Sequence, residues 1–328
     1  MNTPLKSLPS KNDLNRAREI IAPYIHQTPV ITSLTLNKLS GASLFFKCEN
    51  FQKAGAFKFR GASHAIATLP VEQHTKGVST HSSGNHAQAL ALAARNQGIK
   101  AHIVMPENAP RIKVEAVKDY GGKITFCQPT LQDREATLKE VIKETGAVEI
   151  HPYNNYTIIA GQASAAAELF GKVGAPDCIV VPVGGGGLLS GSILSSRYFS
   201  PQTKVYGAEP LMANDAWESF RKKEFIPSKN PQTIADGLRT SLGSKTFPII
   251  MQGAEDILTA REETIIRAMY LIWERMKIVV EPSAAVALAV VLENPEIFKN
   301  RKTGLILSGG NVDLTKLPWL ENRSFNKH

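Results

Sequence analysis

Short apolar segments alternate along this chain with longer segments of helical periodicity, and this alternation restricts the fold more than any other feature. Several short segments, such as Cys178–Val183, are apolar throughout, which is typical of strands covered on both faces. The alternation predicts an α/β fold of open, mainly parallel sheets flanked by helices. The predicted strands are Leu44–Cys48, Val78–Thr80, His102–Met105, Ile124–Cys127, Cys178–Val183, Val205–Ala208 and Leu305–Leu307. The predicted helices are Leu14–Tyr24, Ala62–Leu69, His86–Asn96, Ala160–Phe170, Leu188–Tyr198, Glu262–Met276 and Ser283–Leu292.

Length and cysteine content indicate a globular protein of a reducing compartment. A chain of 328 residues has room for one large or two ordinary domains and buries its own core without disulfides. The three cysteines, Cys48, Cys127 and Cys178, are far apart in apolar segments, which favours buried free thiols over disulfides or a cysteine metal site. The first ten residues lack the apolar core of a signal peptide, and no apolar run is long enough to span a membrane. We therefore expect a cytoplasmic protein.

The basic charge balance bears on the partners of the chain. The formal net charge is +9, but the lysines and arginines are spread along the sequence and form no long basic run. A dispersed charge of this kind predicts attraction for small anionic molecules and no nucleic-acid partner.

Ligands of open α/β sheets gather at the carboxyl ends of strands, so the strand-to-helix junctions are the candidate sites. At the junction Gly55–Gly61, Lys58 stands between two phenylalanines and before a predicted helix. A lysine held against apolar groups has a lowered pKa, and its neutral amine can form a Schiff base. A surface lysine whose stem lies on apolar neighbours remains the alternative interpretation.

The segment Ser82-Ser83-Gly84-Asn85-His86 lies at a second junction, between a predicted strand and a predicted helix. Small residues at a helix start expose backbone N–H groups that can bind a carboxylate, and Asn85 could donate to a phenolate oxygen. Serine and asparagine acting only as helix caps is an equally good interpretation of this segment alone.

The third junction, Gly184-Gly185-Gly186-Gly187, is the most specific. Four glycines between an apolar strand and the helix at Leu188 let the backbone fold around an anion. No Gly-Lys-Ser/Thr follows, and the dinucleotide spacing fails because its last position is Leu189 or Ser190. Glu209 ends the next strand at the distance of a ribose-binding acid, so a nicotinamide oxidoreductase is the runner-up. A single phosphate fits the glycines better.

Ser308 follows the predicted strand Leu305–Leu307 and begins the Gly-rich turn Ser308–Asn311. Its hydroxyl could face a ring nitrogen, although a plain turn explains the same residues. Taken together, the four junctions supply an amine, a phosphate site, a carboxylate site and a partner for a ring nitrogen. These are the parts that a pyridoxal-phosphate site requires.

The sequence resembles the serine/threonine dehydratase and serine racemase family, pyridoxal-phosphate enzymes of the tryptophan-synthase-β fold type (fold type II). The resemblance runs from Thr28 to Leu314. It implies a large cofactor-binding domain of residues 1–77 and 153–328 and a small mobile domain of residues 78–152. The segments that match in the family's order are Phe46–Glu49, Phe57-Lys58, Ser82–His86, Ile159–Gln162, Gly184–Gly187, Thr233–Gly237 and Ser308–Asp313.

The resemblance also implies roles for individual residues. Lys58 is the Schiff-base lysine, Phe57 packs against the pyridine ring, and Asn85 binds the phenolate oxygen. Ser308 meets the pyridine nitrogen, and Ser82–His86 bind the substrate carboxylate. The phosphate is held by Gly184, Gly185, Gly186, Gly187 and Leu188.

Two further sites follow from the racemase-like branch of the family. Ser83 matches the serine that returns a proton to the face opposite the lysine, although some 3-hydroxyaspartate dehydratases also have a serine there. Glu209, the carbonyl of Ala213 and Asp215 match a divalent-cation site for Mg²⁺, Ca²⁺ or Mn²⁺, whose ligands are hard oxygens. The resemblance also implies a homodimer.

The resemblance implies dehydration and deamination of β-hydroxy amino acids such as L-serine and L-threonine, with serine racemisation as a second activity. The loop Tyr153-Asn154-Asn155 departs from the animal racemases, which leaves the substrate open. A 3-hydroxyaspartate dehydratase, or an aspartate or serine racemase, remains the alternative within the family. A nicotinamide oxidoreductase remains the alternative outside it.

Overall fold

The computed structural model describes residues 3–321, and ten strands and fifteen α-helices are assigned there. The strands are β1 (Val30–Ile31), β2 (Ser43–Cys48), β3 (Val78–His81), β4 (Ala101–Pro106), β5 (Lys123–Cys127), β6 (Val148–Glu149), β7 (Cys178–Pro182), β8 (Lys204–Pro210), β9 (Asp256–Ala260) and β10 (Lys302–Leu307). The helices are α1 (Lys11–Ile21), α2 (Leu34–Ser40), α3 (Lys58–Ala67), α4 (Val71–His74), α5 (Asn85–Arg95), α6 (Arg111–Asp119), α7 (Leu131–Thr145), α8 (Tyr156–Val173), α9 (Gly187–Phe199), α10 (Asp215–Lys222), α11 (Thr246–Gly253), α12 (Glu262–Met276), α13 (Pro282–Glu293), α14 (Pro295–Phe298) and α15 (Pro318–Glu321).

The strands form two separate sheets. The six-stranded sheet has the order β1-β2-β10-β7-β8-β9, in which only the pair β1–β2 is antiparallel. The four-stranded sheet has the order β5-β4-β3-β6 and is parallel throughout. This arrangement confirms the predicted α/β class with mainly parallel sheets. It also places every strand of the second sheet between residues 78 and 149.

Apolar helices cover both faces of the six-stranded sheet. Helix α13 packs on β7, β8, β9 and β10, and all its residues from Ser283 to Val291 are buried. Helix α9 packs on β7 and β8 from the other side, and α8 in turn packs on α9. Strands buried on both faces are apolar throughout, which is why β7 could be predicted from composition alone.

Helix α3 contacts one helix on the side of each sheet. It packs against α8 on the side of the six-stranded sheet and against α5 on the side of the four-stranded sheet. Gly61 and Gly161 allow the close approach of α3 and α8, because a β-carbon on Gly161 would lie 2.7 Å from the α-carbon of Gly61. Residues at the start of α3 therefore lie where the two sheets adjoin. Among the described residues, no helix is both long and apolar enough to cross a membrane.

Candidate active site

Lys58 is the first residue of α3, which begins four residues earlier than the predicted helix Ala62–Leu69. Its amine nitrogen donates a hydrogen bond to the carbonyl oxygen of Pro152 at 2.9 Å and lies 5.1 Å from the centre of the Phe57 ring. Burial lowers the pKa of this amine from 10.5 to about 8, against an opposing effect of the Glu281 carboxylate. The amine is thus half-buried between a carbonyl oxygen and aromatic rings, which does not match a lysine whose head lies in water.

A buried ion network anchors the helix that bears Lys58. Arg60 donates to both carboxylate oxygens of Glu49, at 2.6 and 2.8 Å, and to both oxygens of Glu168, at 2.7 and 2.8 Å. Lys47 reaches Glu168 at 2.5 Å and the carbonyl oxygen of Thr28 at 2.7 Å. Because each buried charge has an opposite partner, the network fixes the register of α3 against its surroundings.

Gly184, Gly185 and Gly186 lie between β7 and α9, Gly187 is the first residue of α9, and all four glycines are buried. Gly186 has a φ of +85°, a left-handed conformation that favours glycine, and α9 begins at Gly187. A β-carbon on Gly185 would lie 2.3 Å from the ring of Tyr153, so this position also requires glycine. The result is a close-fitting backbone cup at a helix N-terminus, where N–H groups favour an anion.

The segment from Ser82 to His86 connects β3 to α5, whose first residue is Asn85. Gly84 occupies the cap position, and no side chain caps this helix. The alternative in which serine and asparagine act as helix caps is therefore wrong. His86 is buried with its Nε2 atom 3.0 Å from the carbonyl oxygen of Ile150, and burial, with the nearby charge of Lys58, lowers its pKa to about 3. The imidazole is neutral at physiological pH.

Ser308 is buried at the end of β10, and its carbonyl oxygen accepts a hydrogen bond of 3.0 Å from the backbone N–H of Phe57. An isolated bridge between Ala56 and Gly309 extends this contact. The first and fourth predicted junctions are thus joined directly through their backbones.

Tyr153 brings the first and third junctions together. Its ring centre lies 6.0 Å from the amine nitrogen of Lys58, and the same ring packs on Gly185, whereas the Tyr153 β-carbon and backbone pack on Gly187. Its hydroxyl lies 3.0 Å from the hydroxyl of Thr240. The amine and the glycine cup therefore adjoin the same tyrosine.

Comparison with known proteins identifies the family. The family model described as "Pyridoxal-phosphate dependent enzyme" matches residues 21–309. The chain belongs to this family. A beta-hydroxyaspartate dehydratase of Paracoccus denitrificans is 48% identical over 95% of this chain and 99% of its own. A serine racemase of Arabidopsis thaliana is 49% identical over 93% of each chain. The solved structure of maize serine racemase superposes with a TM-score of 0.93 at 45% identity, covering 96% of this chain and 97% of that one.

Membership of the pyridoxal-phosphate dependent enzyme family confirms the recognition made from the sequence, the fold type and the nature of the protein as an enzyme. The alternative of a nicotinamide oxidoreductase is therefore wrong. Glu209 accordingly does not serve as a ribose-binding acid.

The residues of the site fit pyridoxal phosphate. A half-buried amine with a pKa of about 8 suits an aldehyde, and a run of glycines at the N-terminus of α9 suits a phosphate, because backbone N–H groups there favour an anion. Phe57 provides an apolar ring beside the amine. These features account for the cofactor that the family implies.

The predicted cation ligands lie together at the end of β8. The Glu209 carboxylate accepts hydrogen bonds from the backbone N–H groups of Ala216, at 3.0 Å, and Trp217, at 2.8 Å. Both Asp215 carboxylate oxygens are buried, and burial raises the Asp215 pKa to about 7, against an opposing effect of Ser228. Burial and the adjacent Asp215 also raise the pKa of Glu209 well above its usual value. Ala213 lies between Glu209 and Asp215 in the sequence, and it is buried at the end of a 3₁₀ turn.

The cation set contains only two carboxylates. Within residues 3–321, no group of three or more His, Cys, Asp or Glu side chains is arranged to hold a metal ion. The side-chain geometry alone thus does not assign a metal, and the predicted site depends on the additional carbonyl ligand.

Two residues of this site, His151 and Glu281, are not among those predicted from the sequence. The Nδ1 atom of His151 accepts hydrogen bonds from the backbone N–H groups of Tyr153, at 3.3 Å, and Asn154, at 3.0 Å. Its ring packs edge-to-face on Tyr153 at 4.7 Å. Glu281 is buried and accepts a hydrogen bond of 2.7 Å from the side chain of Asn85. Glu281 directly precedes Pro282, the first residue of α13, and a proline at a helix start gives no signal of an active-site carboxylate.

Proposed function

We propose that the chain removes water and ammonia from small β-hydroxy amino acids, giving 2-oxo acids, and that it also racemises serine. The observation that supports this most is the half-buried amine of Lys58, held beside an aromatic ring and the glycine cup. The names of the related proteins, serine racemase and beta-hydroxyaspartate dehydratase, support the same reaction class.

Lys58 has two roles in this proposal. It would hold the cofactor covalently, and as a free amine it would take the proton from the α-carbon of the substrate. When bound, pyridoxal phosphate supplies an electron sink for the negative charge that develops at that carbon. The pKa of about 8 makes the amine a base of suitable strength near neutral pH, because proton transfer is most effective when the pKa lies near the working pH.

The remaining residues of the site bind and orient. Gly184–Gly187 and Leu188 would hold the phosphate, and Phe57 would pack on the ring. Asn85 would donate to the phenolate oxygen, and the hydroxyl of Ser308 would face the ring nitrogen. The Ser308 hydroxyl would be a weaker proton donor to the ring nitrogen than a carboxylic acid. A less protonated ring is a weaker electron sink, which favours loss of the substrate β-hydroxyl over transamination.

The segment Ser82–His86 would bind the substrate carboxylate through backbone N–H groups at the start of α5. Within it, the hydroxyl of Ser83 would return a proton to the face opposite Lys58 and so invert the α-carbon. The neutral state of His86 keeps a second positive charge away from Lys58.

We propose that Glu209, the carbonyl of Ala213 and Asp215 bind Mg²⁺, Ca²⁺ or Mn²⁺. The support is electrostatic, because two carboxylates buried side by side repel each other unless a proton or a cation lies between them. Oxygen ligands of this kind suit hard divalent cations.

We also propose that residues 78–152 form a small domain that closes over the substrate, with residues 1–77 and 153–328 as the large domain. The separate four-stranded sheet supports this division. A cytoplasmic homodimer with a free amino acid as its only required partner completes the proposal.

A 3-hydroxyaspartate dehydratase is the second candidate, and the 48% identity with the Paracoccus denitrificans protein favours it. The experiment that separates the candidates compares L-serine, L-threonine and L-threo-3-hydroxyaspartate as substrates, measuring the 2-oxo acid formed and the chirality of the unreacted amino acid. We expect 2-oxo acid from at least one of them and D-serine from L-serine. Absence of both products with all three substrates would contradict the proposed function.

A further inference from the structure

Glu281 is a buried acid with no role in the helix that it precedes. It stands immediately before α13, at a position where an acidic side chain often caps the first turn, yet its carboxylate makes no capping hydrogen bond. Its backbone carbonyl instead accepts from the N–H groups of Ala284, at 3.0 Å, and Ala285, at 3.3 Å. The side chain is only 3% exposed. Helix stability therefore does not explain a carboxyl group that is costly to bury.

The carboxyl group of Glu281 points into the active site. Its Oε1 atom accepts a hydrogen bond of 2.7 Å from the side-chain nitrogen of Asn85. A β-carbon on Gly309 would lie 2.6 Å from the same oxygen, so the glycine after Ser308 provides the space for the carboxyl group. The backbone N–H of Glu281 donates to the Gly309 carbonyl at 3.0 Å.

Asn85 is held from its other side as well. Its Oδ1 atom accepts a hydrogen bond of 2.9 Å from the side chain of Asn311, which also donates to the Ala54 carbonyl at 2.8 Å. An acceptor on the nitrogen side and a donor on the oxygen side define one orientation of the amide. The amide nitrogen has two N–H bonds, and the bond to Glu281 uses only one of them.

We propose that Glu281 is a positioning residue, whose carboxyl group orients the Asn85 amide so that its second N–H is available to the phenolate oxygen of the cofactor. This inference rests on the proposed role of Asn85. Glu281 makes no hydrogen bond to Lys58, whose amine donates to Pro152 instead. It acts on the site through Asn85 and through its charge.

The electrostatic surroundings of Glu281 support a link to Lys58. Burial raises the pKa of Glu281 to about 8, with a further upward effect of Asp236 and an opposing effect of Lys113. Lys113 and Asp236 form an ion pair with each other. Once the Glu281 carboxyl group is ionised, above a pH of about 8, its negative charge raises the pKa of Lys58, against the larger effect of burial. Replacing the carboxyl group by a neutral one should therefore lower the pKa of Lys58.

The test compares Glu281→Gln with Glu281→Met, two side chains of similar size. Glutamine retains an oxygen that can accept from Asn85, whereas methionine removes it. The dissociation constant of pyridoxal phosphate from the holoprotein is measured by equilibrium dialysis. We expect Glu281→Met to weaken binding about tenfold or more and Glu281→Gln to stay within about threefold of the wild type. Binding by Glu281→Met that equals the wild type, or an equal loss in both variants, would overturn the proposal.

A double substitution tests whether Glu281 acts through Asn85. If it does, Glu281→Met should add less than about twofold to the loss already caused by Asn85→Ala. Independent, multiplicative losses in the Asn85→Ala/Glu281→Met protein would contradict an action through the amide.

A third measurement tests the action of Glu281 through its charge, and it does not require Glu281→Met to fold. In Glu281→Gln, the pH midpoint for reconstitution of the cofactor-free protein with pyridoxal phosphate should move below that of the wild type, because the ionised carboxylate that raises the pKa of Lys58 is gone. An unchanged or higher midpoint would contradict the action of Glu281 on Lys58 through its charge. A wild-type protein that binds no pyridoxal phosphate would instead contradict the proposed function itself, so the two failures are distinguishable.

Discussion

The amine nitrogen of Lys58 lies 2.9 Å from the carbonyl oxygen of Pro152, to which it donates a hydrogen bond. Lys58 begins α3, whereas Pro152 lies where the chain leaves the four-stranded sheet and approaches α8. This one contact joins the two parts of the chain on which the proposed reaction depends. It also holds the amine in a half-buried position, which is the cause of its lowered pKa.

The pKa of Lys58 predicts how cofactor capture depends on pH. The amine is protonated below about 8 and neutral above it, and only the neutral form attacks an aldehyde. The rate at which cofactor-free protein is reconstituted with pyridoxal phosphate should rise with pH through about 8 and then level off. Stopped-flow absorbance of the cofactor measures this rate. A rate that continues to rise up to the ordinary lysine value of 10.5 would contradict the half-buried position of the amine.

Ser83→Ala should separate two activities. Its hydroxyl is proposed as the proton donor on the face opposite Lys58, a role that is needed for inversion and not for loss of the β-hydroxyl. We expect racemisation of serine to fall about a hundredfold or more and formation of pyruvate to remain near the wild-type rate. Chiral chromatography and a 2-oxo acid assay measure the two rates. An equal loss of both activities would remove this role from Ser83.

Chelation should reduce stability if a cation binds Glu209 and Asp215. A ligand at about a hundred times its dissociation constant stabilises the folded state by about 2.7 kcal/mol. Dialysis against chelator should therefore lower the melting temperature, and Mg²⁺, Ca²⁺ or Mn²⁺ should restore it. Asp215→Asn should abolish this response, since it removes one charged ligand. A melting temperature that does not respond to chelator in the wild type would contradict the cation site.

The ion network around Arg60 should make a large contribution to stability. Arg60→Ala leaves Glu49 and Glu168 without their main cationic partner, and removing one member of a buried pair costs about 3–5 kcal/mol of unfolding free energy. Urea denaturation measures the change. Arg111→Ala is the matched control, because the Arg111–Glu115 pair is exposed and its loss should leave the unfolding free energy almost unchanged. Equal effects of the two substitutions would contradict the buried network.

The sequence predicted the parallel α/β class and seven of the strands, because short segments with many apolar residues alternate with longer helical ones. It did not predict β1, β6 and β9. The first two are only two residues long, and β9 contains only three apolar residues beside Asp256 and Thr259. The predicted helix boundaries were less accurate where a capping side chain sets the first residue of the helix. Helix α8 begins at Tyr156 and not at Ala160, because Asn155 caps its first turn.

Three of the four junctions could be found from the sequence because each follows a strand directly. Lys58 follows β2 only after two 3₁₀ turns, and its aromatic and glycine neighbours were the signal that marked it. Glu281 could not be found from the sequence, because it approaches Asn85 from a distance of 196 residues along the chain. His151 was missed for a related reason, since its contacts with Tyr153 and Asn154 are local hydrogen bonds to backbone that leave no pattern in the sequence. Contacts between side chains that are far apart in sequence require the three-dimensional structure.

The most direct test of the account examines the covalent link between the cofactor and Lys58. The holoprotein is reduced with borohydride, digested and analysed by mass spectrometry. We predict a reduced pyridoxal-phosphate adduct on the peptide that contains Lys58, and none in Lys58→Ala treated in the same way. An adduct on another lysine, or on no peptide of the reduced wild-type protein, would contradict the account.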